Sequence, residues 1–356
     1  MECTQLIGSS FRVAPQPRLP IRSEQVWFGD GTIVLETEMV QFKVYQGTLA
    51  ANSPIFHAMF SACQEDGSDM IENCPVIHLH DTAVDLMHFL QAMHILGYAI
   101  GSFTRPHFDI LASSPSYYDC KTTDDFNKIA GILRLSTKYD VEHLRRRTFE
   151  QLAFLYPTTL EQWDQRVEDA IKVFEARPFV VVKLARETGH LSLLPAAMYL
   201  CATRADINHV LDGAPCPDGY TIELDWEDKR ACLHGRETLA SAVRTRLFKF
   251  ITGTIEIHGH CTSAPHCEIA KYRTVRRLEV ALSHTTPAVF STARFTWPNY
   301  RQDVCKNCAA SAEAHFDSER VRLWEELPSF FGLPSWEDLR KADDLVLTTR
   351  SDISPK

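Results

Sequence analysis

Val26-Trp27-Phe28-Gly29-Asp30-Gly31-Thr32-Ile33-Val34-Leu35-Glu36-Thr37, followed by Phe42-Lys43-Val44-Tyr45-Gln46-Gly47-Thr48-Leu49-Ala50-Ala51-Asn52-Ser53-Pro54-Ile55-Phe56-His57-Ala58-Met59-Phe60, is the stretch that decides the fold. β-Branched and aromatic residues flank an Asp-Gly pair, so two β segments joined by a turn are expected. Phe42, Val44 and Leu49 then fit a second strand running into a helix. Ser53 before Pro54 reads as a helix start: a capping hydroxyl, then a ring that gives up no needed N–H. Ile55 with Met59, and Phe56 with Phe60, are i,i+4 pairs that predict a buried short helix.

Outward from that stretch the pattern continues. Residues 1–23, with Pro15, Pro17 and Pro20, read as a disordered or extended lead-in. Gln64 to Asn73 reads as a polar loop, and Pro75 to Asp81 as a strand. Thr82-Ala83-Val84-Asp85 has capping-box spacing and opens a helix carrying Leu86, Phe89, Leu90 and Met93. Residues 97–123 show no periodicity and read as an insertion. Two helices follow, one capped by Asp124 or Asp125 and one by Asp140, and Pro157 ends the second. Beyond it the chain is mostly helical. Thr159 and Gln162 form a capping box, Gly189 stops a helix begun near Phe179, and Pro195 begins another. Residues 211–220 read as a loop, 225–251 as a long helix, 253–267 as a turn-rich loop, 272–282 as a helix and 286–300 as irregular. Cys305 to Leu327 reads as a helix, and Phe330-Phe331-Gly332-Leu333-Pro334-Ser335-Trp336 as an apolar anchor before a fraying end.

Asp30-Gly31-Thr32-Ile33-Val34-Leu35, then Phe42-Lys43-Val44-Tyr45, Leu49-Ala50-Ala51-Asn52-Ser53-Pro54-Ile55-Phe56 and Met59-Phe60, resemble the opening of a BTB/POZ domain. Val76-Ile77-His78-Leu79-His80-Asp81 resembles its next strand. Leu133-Arg134-Leu135-Ser136-Thr137-Lys138-Tyr139-Asp140-Val141-Glu142-His143-Leu144 resembles its paired C-terminal helices. The pieces fall in order over roughly residues 24–156. They are most similar to BTB proteins of mushroom-forming fungi, in which the Leu323-Trp324…Leu327-Pro328…Phe331-Gly332-Leu333-Pro334…Trp336 ending recurs. The chain departs from that pattern at the 97–123 insertion and at Tyr45, where the family usually has His.

The resemblance implies an α+β chain: an N-terminal BTB/POZ-like domain (24–156), a helical C-terminal domain (157–340) and a flexible tail (341–356). It implies a non-enzymatic protein–protein interaction role, through homodimers, heterodimers or partner recruitment. In some members the partner is a cullin-type ubiquitin ligase, and these carry an apolar-x-Glu triplet before the strand. Met70-Ile71-Glu72 matches that triplet.

Cysteine spacing is the sharpest feature elsewhere. Cys305-Lys306-Asn307-Cys308 is a CxxC, and Cys261 and Cys267 lie upstream in a stretch that also holds His258, His260 and His266. Two thiolates separated by two residues can bite one tetrahedral zinc. Cys261, Cys267, Cys305 and Cys308 are therefore the candidate ligands of a structural zinc, with the three histidines as substitutes. The same residues also read as free thiols and surface histidines, or as a redox CxxC, which no surrounding βαβ pattern supports.

Totals bound the rest. The 356 residues are 45% hydrophobic and 23% charged, ordinary for a packed protein. No apolar segment has the length of a membrane span and no secretory signal is legible, so an intracellular protein of cytoplasm or nucleus is expected. A net charge of -9 disfavours a general nucleic-acid binder. Residues 229–277 nonetheless hold ten Lys and Arg against three acids, so the alternative is a zinc-containing regulator binding nucleic acid through this basic region. Residues 313–344 hold nine acids against four bases and offer the basic helices an internal counterpart. Motifs of the common hydrolases, nucleotide-binding proteins and zinc proteases are missing, which argues against an enzyme.

Overall fold

The computed structural model describes residues 19–62, 69–96, 123–166, 176–216, 219–252, 261–284, 290 and 297–348. Residues 1–18 of the expected lead-in and 97–122 of the expected insertion lie outside them, whereas residues 21–23 fall in a strand and Thr123 opens a helix. The chain divides into two compact units, Met1–Ile95 and Leu96–Lys356. The first is mixed α and β, and the second is mostly helical.

The first unit is built on strands β1 (Ile21–Trp27), β2 (Ile33–Thr37), β3 (Val40–Val44), β4 (Met70–Ile71) and β5 (Cys74–His78). They form one sheet in the order β1-β3-β2-β5-β4. β2 and β3 are antiparallel, with Ile33 opposite Val44 and Thr37 opposite Val40. β1 lies parallel to β3, and β5 parallel to β2. Central position explains composition: Ile33, Val34 and Leu35 are all buried, so β2 is covered on both faces.

Helix α1 (Gln46–Asn52) leads into α2 (Pro54–Ala62), and the Ser53 hydroxyl accepts the Phe56 N–H at 3.0 Å as the capping pattern predicts. Phe56 and Phe60 are buried and stacked at 5.5 Å, whereas Ile55 and Met59 are half-buried. Helix α3 (Ala83–Leu96) opens on the expected Thr82 cap, which takes the Asp85 N–H at 3.1 Å.

Two readings of this region change. The turn at 29–31 does not join neighbouring strands, because β3 lies between β1 and β2. The hairpin turn sits at Glu38 and Met39, both at positive φ (46° and 64°). Neither is the glycine or asparagine that such a turn usually advertises. The Glu38 carboxylate instead accepts the Ala83 N–H at 2.8 Å, satisfying an orphan donor at the start of α3. The first strand also begins at Ile21 rather than Val26.

In the second unit α4 (Thr123–Lys138) and α5 (Glu142–Leu155) precede α6 (Leu160–Gln165), α7 (Arg177–Thr188), α8 (Leu194–Arg204) and α9 (Ile207–Asp212). A two-stranded hairpin follows, β6 (Ala214–Pro215) with β7 (Thr221–Ile222), its first strand inside the 211–220 segment read as a loop and its second just beyond it. Then come α10 (Trp226–Ala242), a π turn (Val243–Leu247), α11 (Lys249–Thr252), α12 (Ala264–His284), α13 (Trp297–Asp303), α14 (Lys306–Glu325), α15 (Leu327–Phe330) and α16 (Trp336–Thr348). α12 thus begins eight residues before the expected Tyr272, α13 occupies part of a segment read as irregular, and the end expected to fray from 341 is helical to Thr348.

The core centres on α7 and α8. Phe179, Val181, Val182, Leu184 and Ala185, and almost every residue from Leu193 to Ala202, are fully buried, the pattern of helices enclosed on all sides. α4 packs on α7, and α10 on α8. Phe126, Ile129, Leu133, Leu152 and Leu155 belong to this core, so the helix pair grouped by sequence with the N-terminal domain shares apolar surface with the second unit. Thr159 caps α6 and Gly189 closes α7 at φ +77°, as expected. Asp140 does not cap α5. Val141 takes that position, and Asp140, at φ +53°, instead accepts from Arg145 at 2.7 Å in a buried pair.

The aromatic ending anchors as the sequence predicts. Trp336 stacks on Trp324 at 5.8 Å and donates its ring N–H to the Trp324 carbonyl at 2.8 Å. Phe331 lies on Gly235 of α10, where an added Cβ would sit 2.2 Å from the Phe331 ring. α16 brings Asp343 into the core, where its carboxylate accepts the Ser192 N–H at 3.3 Å. Burial raises the Asp343 carboxyl to about 6.

Gly235→Ala ordinarily strengthens a helix by about 1 kcal/mol. Here overpacking against Phe331 should reverse the sign, with a net loss of about 1–3 kcal/mol in urea denaturation. A stabilised variant would show that the ring is not seated on Gly235. For Asp343, a folded-state pKa above the unfolded value means that stability falls as pH rises from about 4 to about 6. Asp343→Asn should therefore raise stability by roughly 1–2 kcal/mol at pH 7, with the gain vanishing near pH 4. Denaturation midpoints measured across that window check the sign.

Candidate metal centre

Helix starts build this site. Cys261 lies three residues before α12, and Cys267 falls within its first turn, its N–H bonded to the Ser263 carbonyl at 3.0 Å. Cys305 is the N-cap residue of α14, in extended backbone (φ -67°, ψ 158°), and Cys308 falls in that helix's first turn. CxxC spacing at a helix start turns both sulfurs towards the same point, and the wider Cys261–Cys267 spacing does the same because the helix begins between them.

The four sulfurs lie within 4.8 Å of one another. Cys261 and Cys305 Sγ are 3.8 Å apart. Four sulfurs held about 2.3 Å from a tetrahedral zinc stand about 3.8 Å apart along each edge. The set is therefore slightly expanded around the geometry zinc requires, and it is compatible with that metal. Cys267 and Cys308 are buried, whereas Cys261 and Cys305 are half-buried. Among the described residues this is the group whose ligand atoms converge in this way. His266 is exposed and outside it, and His258 and His260 lie outside the described residues.

Electrostatics favour thiolate at Cys305 and oppose it at Cys267 and Cys308. Backbone N–H groups at Cys308 and Thr262 bring the Cys305 thiol down to about 5. Burial, with neighbouring thiols, raises Cys267 and Cys308. The Cys267 sulfur also accepts the Cys305 N–H at 3.1 Å. Four crowded sulfurs cannot all ionise unaided, and a bound dication removes that conflict by supplying the compensating charge. Thr262 is the participant that sequence reading missed. Its position directly after the first cysteine is the only signal it gives.

All four donors come from the protein, so a tetrahedral metal here would have no position for water or substrate. The arrangement can cross-link the starts of α12 and α14 but cannot activate a nucleophile at the metal.

Around the centre, the basic excess is partly met from within. Arg246 bonds Glu326 at 2.7 Å and Glu319 at 3.2 Å. Arg301 pairs with Glu313, and Arg277 lies 3.7 Å from Asp303. Arg246 is thus the residue of the basic region that these pairs join to the acidic stretch, whereas Arg301 lies outside that region and Asp303 outside that stretch.

The triplet Met70-Ile71-Glu72 forms β4 and its turn in the first unit. Met70 is 60% exposed, whereas Ile71 packs against the cluster of Val34, Cys74 and Val76. Glu72, at φ +48°, binds Arg22 at 2.6 Å and the buried Lys43 amine at 3.0 Å. Tyr45 is half-buried, donates to Asp30 at 2.6 Å and lies against Phe28 at 5.2 Å.

Among the described residues no helix is long and apolar enough to cross a membrane. In comparisons with known proteins, no protein-family model matches the chain, and no curated protein or solved structure is significantly similar to it.

Proposed function

We propose that this chain is a non-enzymatic interaction protein whose N-terminal unit is a BTB/POZ-like module and whose helical unit is held at one corner by a structural zinc. The observation that carries the first part is the pairing of β2 with both β3 and β5, interrupted in sequence by the Ser53-hinged helices α1 and α2. This is the order in which the BTB-like motifs occur in the sequence. The module would form homodimers or heterodimers, or recruit a partner such as a cullin-type ubiquitin ligase. At the triplet, Met70 offers exposed apolar surface, while Glu72 is engaged within the module by Arg22 and Lys43. Partner contact there would therefore rest on Met70 more than on the Glu72 charge.

The zinc part rests on four thiol sulfurs within 4.8 Å at two helix starts. Four protein donors make such a metal structural. The ion pairs of Arg246 and Arg277 weigh against the nucleic-acid alternative, because they occupy two cations of the basic region that phosphates would need.

Light scattering coupled to size exclusion, on the full chain at tens of micromolar, tests the interaction reading. The expected result is a dimer mass, or a monomer that recovers a defined partner in affinity purification, with Met70→Asp weakening that association at least tenfold and leaving the circular dichroism unchanged. A strict monomer that recovers no partner would overturn it.

A further inference from the structure

The four sulfurs are not equivalent. Cys267 and Cys308 are buried, 2% and 4% exposed. Cys261 and Cys305 are half-exposed, one at each helix start, and their sulfurs are 3.8 Å apart. A disulfide needs the two sulfurs at about 2.0 Å, so closure requires them to approach by less than 2 Å across a face that solvent reaches. Cys267 is further shielded because its sulfur accepts the Cys305 N–H. The remaining nearby pair, Cys201 and Cys232, is 0% and 1% exposed inside the α8–α10 contact.

From this asymmetry we infer that the centre is a peroxide-sensitive switch, in which Cys261 and Cys305 form a disulfide and the metal leaves. The inference rests on the zinc reading above. One metal-bound thiolate attacks hydrogen peroxide, the O–O bond breaks, hydroxide departs and a sulfenic acid forms. The second thiolate attacks that sulfur, forming the S–S bond and releasing the second hydroxide. The two thiolates lose two electrons and the peroxide gains them. Cys267 and Cys308 alone are a two-donor site, which does not retain zinc against competing ligands. The tie between α12 and α14 then passes from a metal to a covalent bond, and a thiol reductant with zinc restores the first state.

The test uses the zinc-loaded full-length chain. Metal is quantified first, then a small excess of hydrogen peroxide is added. Released zinc is followed with a chromogenic chelator, and alkylated peptides are mapped by mass spectrometry. About one zinc per chain should be released, in step with a Cys261–Cys305 disulfide. Cys201 and Cys232 should remain reduced, and dithiothreitol with zinc should reverse the change. Zinc retained under peroxide, or released with a Cys267–Cys308 bond as the main product, would overturn the switch while leaving the metal centre standing. A chain that neither carries nor takes up zinc would overturn both.

Discussion

Four thiol sulfurs crowded within 4.8 Å pose a charge problem that the surrounding helices answer only in part. Backbone donors at two helix starts favour the Cys305 thiolate, and burial works against those of Cys267 and Cys308. A divalent cation would resolve the conflict and would also fix where α12 and α14 begin relative to each other. Consequences spread from that corner. α12 presents Arg277 to Asp303, α13 leads directly into Cys305, and α14 carries Glu319 to Arg246 in the π turn after α10. With Arg246 and Arg277 paired in this way, charge that looks like a nucleic-acid footprint in the sequence is partly internal.

The first unit obeys a different constraint. β3 is flanked on both sides, by β1 and β2, and carries Lys43 into a buried position. A buried ammonium is costly unless it is paired and hydrogen-bonded. The Gly29 carbonyl and the Glu72 carboxylate meet it at 2.9 and 3.0 Å, which ties the turn before β2 to the turn after β4. Gly31 lies against the same side chain, since an added Cβ would stand 2.8 Å from Lys43 Cγ. This accounts for the Asp-Gly pair in physical terms. Its glycine is needed where the chain passes close over β3, not to close a hairpin.

Legibility in the sequence followed the locality of each cause. Ser53, Thr82, Thr159 and Gly189 act within one helical turn, and all four were readable from neighbouring residues. The four cysteines were readable because ligand spacing is itself a local geometric condition. What stayed hidden depended on distant partners. The Glu38–Met39 turn lacks the usual residues because its glutamate acts 45 positions away, on Ala83. Asp140 is a local exception: it has the look of a cap but answers to Arg145, five residues on, because its own backbone sits at φ +53°. The early start of α12 was masked by Pro265 and the histidines around it, although Pro near a helix start is well tolerated. The membership of α4 and α5 in the second core was illegible because it depends on the apolar surface of α7, far along the chain.

X-ray absorption at the zinc edge, on the full-length chain purified without chelator, reads the sulfur corner most directly. Four sulfur scatterers at about 2.3 Å, reduced to three or fewer in Cys308→Ser, are predicted. A chain that purifies without zinc, cannot be loaded with it and keeps the same melting temperature in the Cys308→Ser variant would contradict a metal-organised helical unit.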